Sequence, residues 1–239
     1  MSADTPLALD VIAHMRTDFP DKFGLPRQSG LAEHLMGRIV FEPKYRDQNA
    51  LRGIEGFSHL WLIWGFSEAV REKWSPTVRP PRLGGNRAMG VFATRSPFRP
   101  NPLGLSCVRF ERLEDVPGLG TTVVVRGIDM TDMTPVYDIK PYIPYADSRP
   151  DALGGFTDGT EWHPLEVAIP PELARALPDD AMAGLREALA QDPRPAYRRG
   201  DARVFGMDYA GCDVRFRVID GKCEVVSIIR NSECGMRNQ

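Results

Sequence analysis

Seven short apolar segments occupy roughly the first 145 residues: Leu7–His14, Leu35–Phe41, His59–Phe66, Gly90–Thr94, Leu105–Glu111, Thr122–Ile128 and Val136–Lys140. Each is strand-length, rich in Val, Ile, Leu or aromatic residues, and punctuated by Gly and Pro. Such a run predicts a barrel or sandwich rather than alternating β-α units. Only short helices fit among these segments, as around Asn49–Ile54, where Gly53 and Gly56 stop them. The stretch Asp147–Pro164 then loses all period and reads as a linker. Beyond it, Pro170-Pro171 open one short helix, and Asp179 or Asp180 caps another carrying Met182, Leu185 and Leu189 before Pro193 and Pro195 end it. Val214–Ile219 and Glu224–Ile229 flank Asp220-Gly221-Lys222, a hairpin turn signal. The expected organisation is a mainly β N-terminal domain over 5–147 and a small α+β domain over 165–232.

At 239 residues, 42% hydrophobic and 26% charged, the chain can bury a sizeable core. Its net charge of -2 and pI near 6.1 do not announce a nucleic-acid binder, so local charge must carry any such reading. No apolar run reaches the roughly 20 residues that span a bilayer, and MSADTPLALD lacks a secretory pattern, so a cytoplasmic location is expected. Cys107, Cys212, Cys223 and Cys234 form no CxxC pair and have no histidine at zinc-ligand spacing, so no metal is expected. Cys212 and Cys223 read as reduced, partly buried thiols in strands.

Positive charge is concentrated in REKWSPTVRPPRLGGNRAMGVFATRSPFRPNP, residues 71–102, whose only acid is Glu72. Arginine forks suit phosphate and carboxylate, and the interleaved Trp74, Phe92 and Phe98 suit bases. Pro80, Pro81, Pro97, Pro100 and Pro102 stiffen these loops, and Gly84-Gly85 permit close backbone approach. Together they describe a pre-organised surface for an anionic or nucleotide ligand. The absence of GxGxxG, GxxxxGK[ST] and GxSxG argues against a dinucleotide-type sheet, a P-loop and a serine hydrolase. His59, at the head of an apolar strand, reads as a core histidine. Alternation places Asp138 and Lys140 on one strand face with Val136 beside them, either as a structural ion pair or as a polar pair lining a barrel mouth.

GFSHLWLIWGF, TVRPPRLGGNRAMGVFATRSPFRPNPLGLS, DMTDMTPVYDIKPYIPYADS and LAQDPRPAYRRG closely resemble the TsaA-like (TrmO) family, and the similarity runs from about Val11 to the C-terminal hairpin. That resemblance implies a closed β-barrel of non-Rossmann type, a homodimer, S-adenosylmethionine near the subunit interface, and methylation of N6 of threonylcarbamoyladenosine at tRNA position 37, beside the anticodon. It also implies cofactor contacts at Pro26, Arg27, Gln28, Arg95, Leu105, Arg126, Gly127, Ile128 and Asp129, and at Ser67 and Glu68, where some relatives carry His-Gln. Met133 stands where the family's turn carries glycine.

For the chemistry, Arg27 or Arg95 would hold the donor's carboxylate, Leu105 and Ile128 would line an adenine slot, and Asp129 would hold an amine or ribose hydroxyl. Asp138 would take the N6 proton, with Lys140 and Tyr142 steadying the modification. The anticodon arm would meet Arg79, Arg82, Arg87 and Arg99, with Arg194, Arg198 and Arg199 contributing from the small domain. Two other readings use the same loops: a non-catalytic RNA-binding module, and an S-adenosylmethionine-dependent methyltransferase acting on a small molecule.

Overall fold

The computed structural model describes residues 7–69, 73–80, 87–159, 163–195, 198 and 200–231, with the backbone only of Glu68. In chain order the strands are β1 (Ala13–Thr17), β2 (Met36–Phe41), β3 (His59–Gly65), β4 (Thr77–Val78), β5 (Met89–Gly90), β6 (Leu103–Val116), β7 (Gly120–Arg126) and β8 (Thr134–Pro141), followed by the short helix α1 (Pro144–Asp147). Six of them pair in the order β1–β2–β7–β6–β3–β8, and β1 meets β8 with Ala13 opposite Val136 and Met15 opposite Thr134, so the sheet closes into a barrel. A period of two sends Met15, Ile39, Leu60, Leu62, Trp64, Val123 and Val125 inwards, each 6% exposed or less.

Three expectations shift. Leu7–His14 becomes a strand only at Ala13, where β1 begins, because the inward pair of this edge is Ala13 and Met15, whereas Leu7 lies 86% exposed. Gly90–Thr94 is not a strand: after the two-residue pairing of β5 with β4, Val91–Ala93 coils into a 3-10 turn closed by the Thr94 amide and hydroxyl, which both donate to the Val91 carbonyl. Asn49–Ile54 resolves into two 3-10 turns, Gln48–Leu51 and Ile54–Gly56, broken at Gly53.

The second unit comprises β9 (Glu166–Ala168), α2 (Asp179–Ala190), β10 (Phe205–Tyr209), β11 (Cys212–Ile219) and β12 (Lys222–Arg230), with sheet order β10–β11–β12–β9 and β9 parallel to β12. Both hairpin turns place two successive residues at positive φ, Ala210-Gly211 at 49° and 72° and Asp220-Gly221 at 47° and 77°, the backbone of a type I′ turn. Asp179 and Asp180 are first-turn residues of α2 that favour its dipole; the cap position is Pro178, with no side-chain cap. Pro170-Pro171 open a turn, not a helix: the Leu173 and Ala174 amides both donate to the Pro170 carbonyl and the helix goes no further.

The two units share one contiguous core. Phe19 meets Tyr209 with ring centroids 4.9 Å apart, and Phe23 stacks on Phe216 at 6.4 Å. The closeness of α2 to the barrel requires Gly184, where a Cβ would lie 2.8 Å from Leu35. Cys212 and Cys223 are buried thiols that form no disulfide, and burial pushes Cys223 up to about 12, so its thiol is unreactive at neutral pH. Cys234 lies outside the described residues. No helix among the described residues is long and apolar enough to cross a membrane.

Candidate active site

β7 leaves the barrel at Gly127, which takes φ 74° and turns the chain off the line of β6. From Leu103 to Val108, β6 therefore has β3 on one edge and no strand on the other. The loop that follows β1 fills that edge. Cys107 N–H donates to Ser29 Oγ (3.2 Å), Gly30 N–H to Gly127 O (2.9 Å), and Gly127 N–H to Leu35 O (2.9 Å). A Cβ on Gly127 would come within 3.4 Å of the Gly30 backbone, on top of its positive φ, so the crossing is built for glycine. The loop thus brings the Ser29 amide onto the Asp129 carboxylate, with Gln28 the next residue back along the chain.

Asp129 is the most perturbed carboxylate of the group. Ser106 Oγ–H donates to its Oδ1 at 2.6 Å, and Trp64 Nε1–H donates to Ser106 Oγ at 2.9 Å. Trp64 reaches Ser106 because its indole lies against Gly104, where any side chain would collide with the ring. The Ser29 and Asp129 amides also serve the carboxylate, and Arg95 is close enough to act on it electrostatically. Burial outweighs these and pushes its pKa up to about 6. Arg95 Nη1 in turn donates to Gln28 Oε1. Gln28, Arg95 and Asp129, from three distant segments, converge on one spot.

Other named residues fall differently. Leu105 faces outward, 57% exposed, but Ile128 is buried in the core against Gly37, so only its backbone is available to a ligand. The Arg126 side chain is committed to Glu111 (3.1 Å) and, across to α2, Asp180 (3.7 Å). Pro26 is buried; Arg27 is exposed and lines a cavity of about 210 Å³ between the loop and the end of α2, on the side of Asp192. Ser67 starts a 3-10 turn beyond the far end of β3, where Phe66 N–H donates to Pro102 O, and no hydrogen bond among the described residues ties it to the Asp129 group. The Glu68 side chain lies outside the described ones.

Asp138 and Lys140 form an ion pair at 2.8 Å, both well exposed, but Val136 is not beside them. A bulge in β8 sets Val136 opposite Trp64 and Asp138 opposite Ile63, leaving Tyr137 unpaired. The extra residue inverts the alternation, so Val136 and Ile139 face the core while Asp138 and Lys140 face out. On that outer face, Asp138, Ile63 and Leu105 form one cross-strand row and Lys140, Trp61 and Cys107 the next. Tyr142 packs its ring on His59 and Trp61. His59 is no core residue: it is exposed, its Nδ1 2.9 Å from Ser58 Oγ.

Among the arginines expected to meet RNA, Arg79 and Arg87 stand exposed on the β4–β5 ribbon. Arg99 is half-buried and braces its own turn by donating to Thr94 O (3.1 Å). Arg194 leaves the set, since it is 5% exposed and paired with buried Asp192 at 2.8 Å, where no phosphate can reach it. Arg198 is partly exposed beyond Pro195; Arg82 and Arg199 lie outside the described residues. Sequence reasoning missed Ser29, Ser106 and Trp64. Ser106 carries a readable signal, a polar residue in phase with inward Gly104 and Val108. No cluster of metal-ligating side chains occurs among the described residues.

A family model for the tRNA-methyltransferase O N-terminal domain matches residues 14–148, and one for the TrmO C-terminal domain matches residues 163–231. The chain belongs to the tRNA-methyltransferase O family. A relative from Escherichia coli K12, named tRNA (adenine(37)-N6)-methyltransferase, is 40% identical over 228 residues, covering 91% of this chain and 95% of its own. A relative from Eikenella corrodens with the same name is 46% identical over 174 residues, covering 72% of this chain and 97% of its own. The crystal structure of TrmO from Pseudomonas aeruginosa superposes with a TM-score of 0.76 at 31% identity, covering 94% of this chain and 98% of that one. Membership of the tRNA-methyltransferase O family thus extends over both units of the fold.

Proposed function

We propose that this chain methylates N6 of threonylcarbamoyladenosine at position 37 of tRNA, with S-adenosylmethionine as donor, as a cytoplasmic homodimer. The observation that carries the reading is the convergence of Gln28, Arg95 and Asp129 at the open edge of β6, a strand whose outer face bears solvent-facing Leu103 and Leu105. These residues fit the donor's parts. Arg95 offers a fork for a carboxylate, the buried Asp129 accepts from an amine or a ribose hydroxyl, and the two leucines offer an apolar surface for adenine. Of the two arginines considered, Arg95 is the better placed, since Arg27 lines the cavity toward α2. S-Adenosylmethionine supplies a methyl group made electrophilic by cationic sulfur.

This chain's own task is to align the acceptor nitrogen and manage its proton. In the threonylcarbamoyl form N6 bears a urea-like N–H that must be lost. Asp138 stands in the same row as Leu105, two strand spacings or about 10 Å across the outer face. It accepts that proton, while Lys140 and the Tyr142 hydroxyl hold the carbamoyl and carboxylate groups. Holding nitrogen, methyl and sulfur in line supplies much of the remaining rate. Homodimer formation would cover the apolar outer patch of Ile63, Leu103 and Leu105, bringing a second subunit against the donor.

The test is transfer of labelled methyl to tRNA with and without the threonylcarbamoyl group, read by nucleoside mass spectrometry. Label in the N6-methylated threonylcarbamoyl nucleoside is expected. Transfer to unmodified adenosine alone would remove the modified acceptor, and no transfer to either tRNA would remove the reading.

A further inference from the structure

The β4–β5 ribbon carries a feature the methyl-transfer site does not use. At its base, Trp74 and Phe92 are 53% and 74% exposed, yet they touch each other, ring centroids 6.2 Å apart and planes 33° from parallel. Local hydrogen bonds set the pair. Ser75 Oγ accepts from Thr77 N–H and donates to Thr77 O, turning the chain into β4, and Val91 N–H donates to Pro76 O as it leaves β5. Trp74 and Phe92 are thereby set across from one another, outside the last ribbon rung. Two large aromatic rings this exposed leave apolar surface in water that a scaffold turn has no need to bear.

Their surroundings say what covers them. Over the described parts of this segment, 73–80 and 87–99, stand Lys73, Arg79, Arg87, Arg95 and Arg99 and not one carboxylate. Lys73, Arg79 and Arg87 are exposed, and no ion pair is formed by them among the described residues. An aromatic step with exposed cations before and after it along the chain matches a base flanked by phosphates. A duplex keeps its bases stacked inside, so the matching form is an unpaired nucleotide. The step is also fixed relative to the donor site, because Phe92 lies in the 3-10 turn that leads through Thr94 to Arg95, and Arg99 ties that turn by its bond to Thr94 O.

We propose that Trp74 and Phe92 form a stacking ledge for an unpaired base of the RNA loop that carries the reacting adenosine. The ledge rests on the tRNA reading above and names the contact that discriminates a loop from a stem. Its test uses the full chain, a fluorescently labelled RNA hairpin with an unpaired loop, and a blunt duplex of the same stem. Trp74→Ala and Phe92→Ala should each weaken hairpin binding roughly tenfold, as loss of one base–aromatic stack does, and leave duplex binding unchanged. Trp74→Phe should recover most of the affinity, and the quench of indole emission on adding hairpin to the wild type should shrink in that variant. Equal losses for hairpin and duplex, no loss for either, or a change of oligomeric state in Trp74→Ala would overturn the ledge, the last by making the pair a subunit contact. Binding of S-adenosylmethionine by each variant, expected at wild-type strength, reports that it is folded. If the wild type binds the hairpin through Trp74 but transfers no methyl, the proposed function falls and the ledge stands; if methyl transfer proceeds and Trp74 adds nothing, the ledge alone falls.

Discussion

Asp129 shows how one buried side chain couples stability to binding. Burial raises its pKa to about 6, so the folded state holds a proton there that the unfolded chain releases near pH 4. Between those values the folded state binds more protons than the unfolded one, so stability falls as pH rises through the window, by on the order of 2–3 kcal/mol once the group is ionised. The same ionised carboxylate is what an amine or ribose hydroxyl would seek. Asp129→Asn should therefore melt several degrees above the wild type at pH 8, with the difference gone by pH 4, as differential scanning calorimetry would read. Donor affinity, by titration calorimetry, should drop in the variant and lose the decline that the wild type shows as pH falls through 6. A variant no more stable at pH 8 would mean that Ser106 and the two amides already compensate the charge. Met133 presents a second local strain. It holds φ 62° with its side chain 53% exposed, kept there by the hydrogen bond its N–H donates to Met15 O. Met133→Gly should raise stability by about 0.5–1 kcal/mol in urea unfolding, since relief of a left-handed side chain exceeds the added backbone entropy.

Strands decide which side chains meet, and here one bulge decides the most. Without the extra residue at Tyr137, Asp138 would face the core beside Val136; with it, Asp138 joins Ile63 and Leu105 on the outer face. If Asp138 is the base, Asp138→Asn should lower kcat by about a hundredfold or more while KM for S-adenosylmethionine stays put. Near-normal turnover at saturating substrate would leave positioning as the whole effect. The bulge was not legible in VYDIK, because period-two alternation reads straight through an inserted residue. What alternation does convey is β2, β3 and β7, each found within a residue or two of Leu35–Phe41, His59–Phe66 and Thr122–Ile128. Alternation fails where the chain is a strap or a turn, at 7–12 and at Gly90–Thr94, since apolar residues there pack without ladder partners. β9 and β10 fall outside the segments read as strands: three residues of Glu166–Ala168 are too few to show a period, and Phe205–Tyr209 alternates, with Phe205, Met207 and Tyr209 buried, over only five residues. Within the site, Gln28, Arg95 and Asp129 came from resemblance, whereas their convergence depends on the Gly127–Gly30 crossing, a contact between segments nearly a hundred residues apart.

For the molecule as a whole, the shared core governs how it unfolds. Phe19, Leu35 and Met15 of the barrel unit and Leu185, Leu189, Tyr209 and Phe216 of the C-terminal unit belong to one buried cluster. Hydrogen bonds cross the same seam: Ala210 N–H to Asp18 O (2.9 Å), His34 N–H to Glu187 Oε2 (2.8 Å) and Gln191 Nε2 to Leu31 O (3.1 Å). Much of that seam is the very loop that carries Gln28, so α2 buttresses the proposed donor site from behind. Leu185 is fully buried on the α2 face turned to this core. Leu185→Ala should leave a cavity costing about 2–5 kcal/mol. Because the cluster is continuous, the cost should appear as a lower midpoint of a single transition, with indole emission from Trp61, Trp64 and Trp74 of the barrel and far-UV dichroism of the whole chain moving together. Donor affinity should fall as well, since the loop over β6 loses its backing. Were the C-terminal unit to melt first while barrel indole emission and donor binding held at wild-type values, the two units would be independent, and the support that α2 lends to Gln28 and Asp129 would have to come from the barrel alone.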